Sequence, residues 1–480
     1  MKKTINILAV LLILFVLTVT PLESKHQVAL AAATTKNLAT NYTLVNLGTA
    51  EASVTATYLT PAGAEWGSSI FKYFTIPAGG NSIVRQYDDT GLTAGRGSVI
   101  VASNQPLGAM VQEITRTGTP SSGAYTGISQ ASAKWYVPLA ARRANSATGK
   151  VNSQIVVQNV GNGPADYKVE YFTLGTGVSA FSKTYTGLAS GASNLIDLDL
   201  EGGLPSPWWG SVEVSTTSGS LGVVSNLFFG ADSLNSFNGF PVEKVTSSWK
   251  VPLLYVRLSN TLTTSVTVQN LSGGDLPVGD IQMKCVKNPA AAGAAEITVT
   301  NNAVVKDKSS YAFNTFTDTT NFPTAGWYGS CEVKSLSGKG LAVLVQDRYT
   351  KNAEQSMYEA VPGTLTSTKV SVPLVAKRLA NGFANTVTIQ NLGTNEATLT
   401  IKYIPTGGGA TVTRTGITVP AGGSYIRNFR LTATEAPDLP NGWVGSMVIE
   451  SSGAPIAAFV QNTYLTAFGD RLMAYLGFNH

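Results

Sequence analysis

The feature that most constrains this chain is a stretch that occurs four times. Val372 to Gly393 reads VPLVAKRLANGFANTVTIQNLG, and it recurs as Val251 to Ser272 (VPLLYVRLSNTLTTSVTVQNLS) and as Val137 to Gly161 (VPLAARRANSATGKVNSQIVVQNVG). A fainter copy runs from Val28 to Gly48 (VALAAATTKNLATNYTLVNLG). The asparagines near the end of each copy, Asn46, Asn159, Asn270 and Asn391, lie 113, 111 and 121 residues apart. Self-similarity at a fixed period means an array of like units. A unit of about 110 residues is the size of one two-sheet sandwich. The expected units are 27–133, 134–247, 248–368 and 369–480, following a leader over 1–26.

The fourth copy shows what a unit contains. Val372-Pro373-Leu374 opens an edge strand, where a proline is tolerated because its missing N–H faces no partner. Runs alternating β-branched and polar residues follow at Thr386 to Gln390, Thr398 to Ile404 and Thr411 to Val419. The third run stops at Pro420-Ala421-Gly422-Gly423. Further strands are expected at Tyr425 to Leu431, Trp443 to Glu450, Ala457 to Tyr464 and Leu472 to Phe478. Seven or eight short strands with no helical period predict an all-β sandwich in every unit. Short linkers between units predict a semi-rigid, extended rod.

Composition narrows the setting. Apolar residues at 43% suffice for four small cores, while charged residues at 13% fall well below the usual ~25%. The net charge of +5 is thinly spread, without the basic stripe that nucleic-acid binding needs. Lys2 and Lys3 followed by the apolar Ile5 to Val19 read as a secretory signal, too short to span a membrane. The cleavage point is open as late as 31–33, since Ala29-Leu30-Ala31 fits a small-x-small site. Export, a location outside the cell or on its surface, and no transmembrane anchor in the mature chain are therefore expected. Cys285 and Cys331 both fall on strands of the third unit, where an exported protein is expected to bridge them.

The V-Q-N-L-G turn, the I/V-P-A-G-G turn and the G-W-x-G-S segment resemble the tandem immunoglobulin-like (CARDB-like) repeats of bacterial secreted and cell-surface proteins. The resemblance spans nearly the whole mature chain. It implies four tandem immunoglobulin-like β-sandwiches in an extended array, acting as a scaffold, adhesin, envelope-layer or fibre component.

Candidate sites are few. Only His26 and His480 are histidines, which excludes a Ser-His-Asp arrangement or a Cys/His zinc site inside a unit; no enzyme activity, metal or cofactor is expected. Asp88, Asp89, Asp197, Asp199, Glu201, Asp275 and Asp280 lie near turns without a calcium-loop pattern, and read as turn acids. Trp208, Trp327 and Trp443 recur beside a Gly-Ser pair and read as core plugs, whereas Trp66 and Trp209 do not recur and are the candidates for a ligand surface. Arg143, Arg257 and Arg378 each stand four residues after the VPL leucine. They are expected to pair with a carboxylate or with carbonyls of the neighbouring unit.

Each VPL strand lies between two units and is open to pairing with either. Pairing with the preceding unit would leave the last unit one strand short. Gln27, Val28, Ala29, Leu30 and Ala31 of another subunit would then complete it, giving a head-to-tail homopolymer. The expected function is thus structural or adhesive work at the cell surface, with itself or other envelope components as partners. The alternative is a tandem carbohydrate-binding array capturing extracellular polysaccharide.

Overall fold

The computed structural model describes residues 27–30, 38–115, 120–146, 149–230, 233–258, 261–351, 354–430, 436–464 and 469–480. The leader lies outside these residues, as does Ala31. The described chain is all β, built from eight antiparallel sheets, two for each repeat. In the fourth repeat one sheet runs Val412–Val419, Ala397–Pro405, Trp443–Ser452, Lys369–Lys377, Phe478–Asn479. The other runs Ser424–Asn428, Phe383–Asn391, Ile456–Tyr464, Met473–Leu476. We call the first the outer sheet and the second the inner sheet; the same order recurs along the chain, with an added strand in the second repeat and the last short strand missing from the first.

The outer sheet shows the alternation expected of a sheet with one wet face. In Ala397–Pro405 the residues Ala397, Leu399, Ile401 and Tyr403 are buried while those between them face outward. Inner-sheet strands differ. Phe383–Asn391 is buried at every position, and Ile456–Tyr464 at all but its last. One of their faces packs on the unit's own outer sheet; the other meets neighbouring units. That second face carries Thr386, Thr388 and Gln390 on one strand and Phe459 and Gln461 on the other; Phe459 stacks on Tyr358 of the third unit and Gln461 donates to Asp347.

Each VPL strand belongs to the unit that follows it. Lys134–Arg142 pairs with Trp208–Thr216, Ser248–Val256 with Trp327–Ser335, and Lys369–Lys377 with Trp443–Ser452. The pairing slips at the same place each time, so that Pro-Leu opposes one serine of the Gly-Ser pair. This is a β-bulge, and proline fits it because the ladder there requires no N–H. Gln27–Leu30 pairs with Ser98–Val101 in the first unit, without proline and without a slip. The last unit has its own opening strand and is closed by Phe478–Asn479. Among the described residues the last unit thus has both an opening and a closing strand, and Gln27–Leu30 pairs within the first unit of its own chain.

The extended rod is corrected. The closing strands Ser122–Thr126, Ser233–Asn238, Gln355–Glu359 and Met473–Leu476 pack against one another in sequence, and the last also packs against the first. The four units thus close into a ring with their inner sheets toward a common axis. Phe478 of the fourth unit covers Gly108 of the first so tightly that a Cβ there would come within 2.6 Å of the ring carbons.

Strand order within a unit also departs from the immunoglobulin pattern. Counting along the fourth unit, strands one, three, four, six and nine share the outer sheet, and two, five, seven and eight the inner one. An immunoglobulin constant-type sandwich groups one, two, four and five against three, six and seven. The two-sheet architecture is shared, but the wiring is different.

Candidate functional site

The repeated segments that define the sequence period meet at the seams between units. The serine of each Gly-Ser pair, opposite the bulge in the last three units and in the regular ladder of the first, donates to a turn carbonyl of the next unit. Ser98 reaches Gly191 O at 3.3 Å, Ser211 reaches Lys308 O, Ser330 reaches Gly422 O at 2.7 Å, and Ser446 reaches Gly79 O at 2.6 Å. The fourth of these returns from the last unit to the first. The bulge proline, freed from the ladder, offers its carbonyl the same way: Pro138 O accepts from Ser310 Oγ and Pro373 O from Asn81 Nδ2, both at 2.7 Å. The glutamine of V-Q-N completes the tie, with Gln158 donating to Ser98 Oγ at 2.8 Å and Gln269 to Lys308 O at 3.2 Å. The asparagine that follows works inside its own unit. Asn46, Asn159, Asn270 and Asn391 each donate to a carbonyl four residues on and to one at the end of an outer-sheet strand or in the turn beside it.

The recurring tryptophans are plugs. Trp208 and Trp327 are buried and Trp443 is half-buried. Trp208 meets Tyr171 edge-on with centroids 5.9 Å apart, and Trp443 meets Tyr403 likewise at 6.1 Å. Each indole lies over its Gly-Ser glycine, so a Cβ on Gly445 would sit 2.6 Å from Trp443. In the third unit Cys285 replaces the tyrosine, faces Cys331 directly across the ladder, and forms the disulfide. The first unit lacks the recurrent tryptophan, and Trp66 fills the place from another loop: a Cβ on Gly97 would stand 3.0 Å from its ring. Trp66 is therefore a plug rather than a ligand platform. Trp209 is half-buried and packed against the core, so it too offers little free ring.

The arginines stay within their own units. Arg143 pairs with Asp199, Arg257 caps the carbonyls of Thr315 and Phe322, and Arg378 donates to Arg430 O at 2.6 Å. All three have left-handed backbone (φ 45°, 43° and 48°), which turns the chain out of the opening strand. Arg143 thus meets a carboxylate, the first of the two expected pairings, while bonding to the neighbouring unit falls to the proline and serine of the bulge. The turn acids are likewise used internally. Asp89 accepts from Ile70 N and Gly91 N, Asp197 from Asn152 and Gln154, Glu201 from Lys183 and Tyr185, and Asp280 from Ser335 and Ser337 N. Asp275 pairs with Lys306, which holds its carboxyl below the usual range. His480 does meet a serine, with Nε2 2.9 Å from Ser371 Oγ. Ser371 is fully buried, so the contact fastens His480 to the opening strand of the fourth unit. Burial and the Lys369 cation push the imidazole down to about 4.

Sequence reading missed the axis. Asp470, fully buried in the fourth unit, accepts from Ser233 Oγ at 2.7 Å, Leu234 N at 3.1 Å and Gln355 N at 3.0 Å. Its own N donates to Pro120 O at 2.9 Å, so this one residue ties all four units. Burial pushes its carboxyl well above the usual range, although all three donors oppose the shift. Asp347, also fully buried, accepts from Thr264 Oγ1 at 2.6 Å and from Gln461 Nε2 of the next unit at 2.9 Å; burial raises it to about 7. Asp347 shares its repeat position with Glu113, which is also fully buried and accepts from Ser236 Oγ of the second unit at 3.1 Å, so a V-Q-acid run on two matching strands was the signal the sequence carried. At the other end of the axis a cavity of about 170 Å³ is lined by all four units, including Thr126, Asn238, Glu359 and Leu476.

No protein-family model matches this chain, and no curated protein matches it. Among solved structures it is similar to Thermotoga maritima 1070, at 14% identity over 23% of this chain and 96% of that one, with a TM-score of 0.19. It is also similar to a mutant form of the major pilin from Streptococcus pyogenes, at 9% identity over 62% of this chain and 97% of that one, with a TM-score of 0.13. At these scores neither likeness bears on function.

Proposed function

We propose that this chain is an exported, non-catalytic protein doing structural or adhesive work at the cell surface, its four sandwich-like units forming a closed platform. The units are immunoglobulin-like in the broad sense of two packed antiparallel sheets, and the resemblance to bacterial CARDB-like surface repeats belongs to the same reading. The observation that carries it is the cyclic set of serine-to-turn bonds, which spends the recurring polar residues on seams rather than on a cleft. Partner contact then falls to the outer sheets, whose edge strands Ser179–Leu188 and Val412–Val419 are largely exposed. Lys183 and Arg414 on those edges guard against indiscriminate strand pairing.

Fractionation of expressing cells, with the mature N-terminus read by mass spectrometry, tests the proposal. Recovery outside the cytoplasm, with a start at or before Gln27, supports export with the first strand retained. A cytoplasmic protein with an intact leader would sink it. Polysaccharide capture is the second reading, favoured by the axial cavity; its original candidates, Trp66 and Trp209, are occupied in packing.

A further inference from the structure

We propose that a second cavity, at the seam between the fourth and first units, binds a small aromatic acid that carries a phenol hydroxyl. It is independent of the carbohydrate reading. The cavity holds about 590 Å³, within the roughly 300–1,000 Å³ of small-molecule sites. The chain itself supplies the template for the ligand. At the seam between the third and fourth units, Tyr255 of the opening strand reaches across, and its hydroxyl donates to Gln461 Oε1 at 2.9 Å. Tyr255 is buried there and opposes Tyr328 on the ladder. The same ladder pair is Ala141 with Trp209 in the second unit and Ala376 with Val444 in the fourth. Of these three pairs the last alone lacks an aromatic ring. The cavity opens at that seam, with Val444 in its wall.

The first unit keeps the partner that the tyrosine would have met. Gln112 stands at the repeat position of Gln461, each following a valine on matching strands, and it lines the cavity. Its Nε2 meets Met473 Sδ at 3.7 Å, which leaves Oε1 without a donor among the described residues. That atom is the one a phenol hydroxyl engages one seam earlier. Around it Ile83, Leu374 and Phe383 give apolar walls, so a ring seated there leaves water for an apolar surround. Charge selects an acid. Two guanidinium groups line the cavity, Arg471 over the Tyr464 ring at 5.1 Å and the largely exposed Arg85. They face a single carboxylate, Asp88, which lies 3.9 Å from Arg85. The surplus positive charge disfavours an amine and suits a carboxylate, which the planar guanidinium fork matches.

The test uses the whole mature protein with para-hydroxyphenylacetate, phenylacetate and tyramine as probes, read by calorimetry and saturation-transfer NMR. Saturable binding of para-hydroxyphenylacetate is expected, with phenylacetate about tenfold weaker for want of the hydroxyl and tyramine weaker still. Ala376→Tyr plants the third unit's tyrosine in the fourth and should abolish binding with the thermal transition unchanged or raised. Gln112→Leu keeps the cavity and removes the acceptor. It should bring para-hydroxyphenylacetate down to the affinity of phenylacetate while leaving phenylacetate itself unmoved, a readout that a merely misfolded variant would not give. Binding that survives in a folded Ala376→Tyr variant overturns the site. Equal affinity for phenylacetate and para-hydroxyphenylacetate overturns the tyrosine template, and preference for tyramine overturns the assigned charge. No binding of any probe overturns the proposal whole.

Discussion

Opening the ring at its one seam without a covalent link is the sharpest perturbation. The first and fourth units are joined only by non-covalent contacts, among them Ser446 to Gly79 O, Asn81 Nδ2 to Pro373 O and Thr406 Oγ1 to Asn81 Oδ1. Ser446→Ala removes one bond and leaves a partly buried carbonyl unpaired, at about 1–3 kcal/mol. Asn81→Ala removes two more, at about 1 kcal/mol each. Together they weaken the seam by roughly 3–5 kcal/mol, which multiplies the open population by about two to three and a half orders of magnitude. Small-angle scattering should show an increased maximum dimension, and hydrogen exchange should rise in Asn81–Arg85 and Lys369–Lys377. Ser330→Ala, at a seam the chain itself spans, should destabilise without lengthening the particle. If wild type already scatters as an extended rod, or the double variant exchanges like wild type at both strands, the ring is wrong.

Three further outcomes follow from the same structure. Replacing Cys285 and Cys331 together by alanine frees a loop spanning 46 residues and should cost about 4 kcal/mol, read as a lowered urea midpoint that reductant no longer shifts. Asp347 keeps its proton to about pH 7 in the fold but releases it near 4 when unfolded, so unfolding sheds a proton between those values. Stability should therefore fall as pH rises from about 4 to about 7, by no more than about 4 kcal/mol, then level off. Asp347→Asn should flatten that slope in urea titrations across the range. Trp66→Ala should cost about 2–3 kcal/mol, below the 3–5 of a fully buried tryptophan, and leave any glycan binding unchanged.

How far the sequence reached can be judged residue by residue. Alternation along Thr398 to Ile404 and the stop at Pro420-Ala421-Gly422-Gly423 located strands because they are local signals: a side chain points in or out every second residue, and glycine turns the chain. The Trp208, Trp327 and Trp443 plugs were legible by recurrence beside Gly-Ser, and the cysteine pair because both residues lie on strands of one unit. Trp66 was misread because its plug position is reached from a different loop, a substitution visible only in three dimensions.

What the sequence by itself determined is the unit: its length, its β character, its turns and its internal plug. What only the tertiary structure decided is how units meet. The same V-P-L, V-Q-N and G-S residues would be present in a rod or in a ring, since a bulged proline carbonyl and a turned-out serine hydroxyl state a need for a partner without naming one. The closure of the fourth seam onto the first depends on the angle each unit makes with the next, and that angle is set by side-chain packing between chain segments more than three hundred residues apart, as between Asn81 and Thr406.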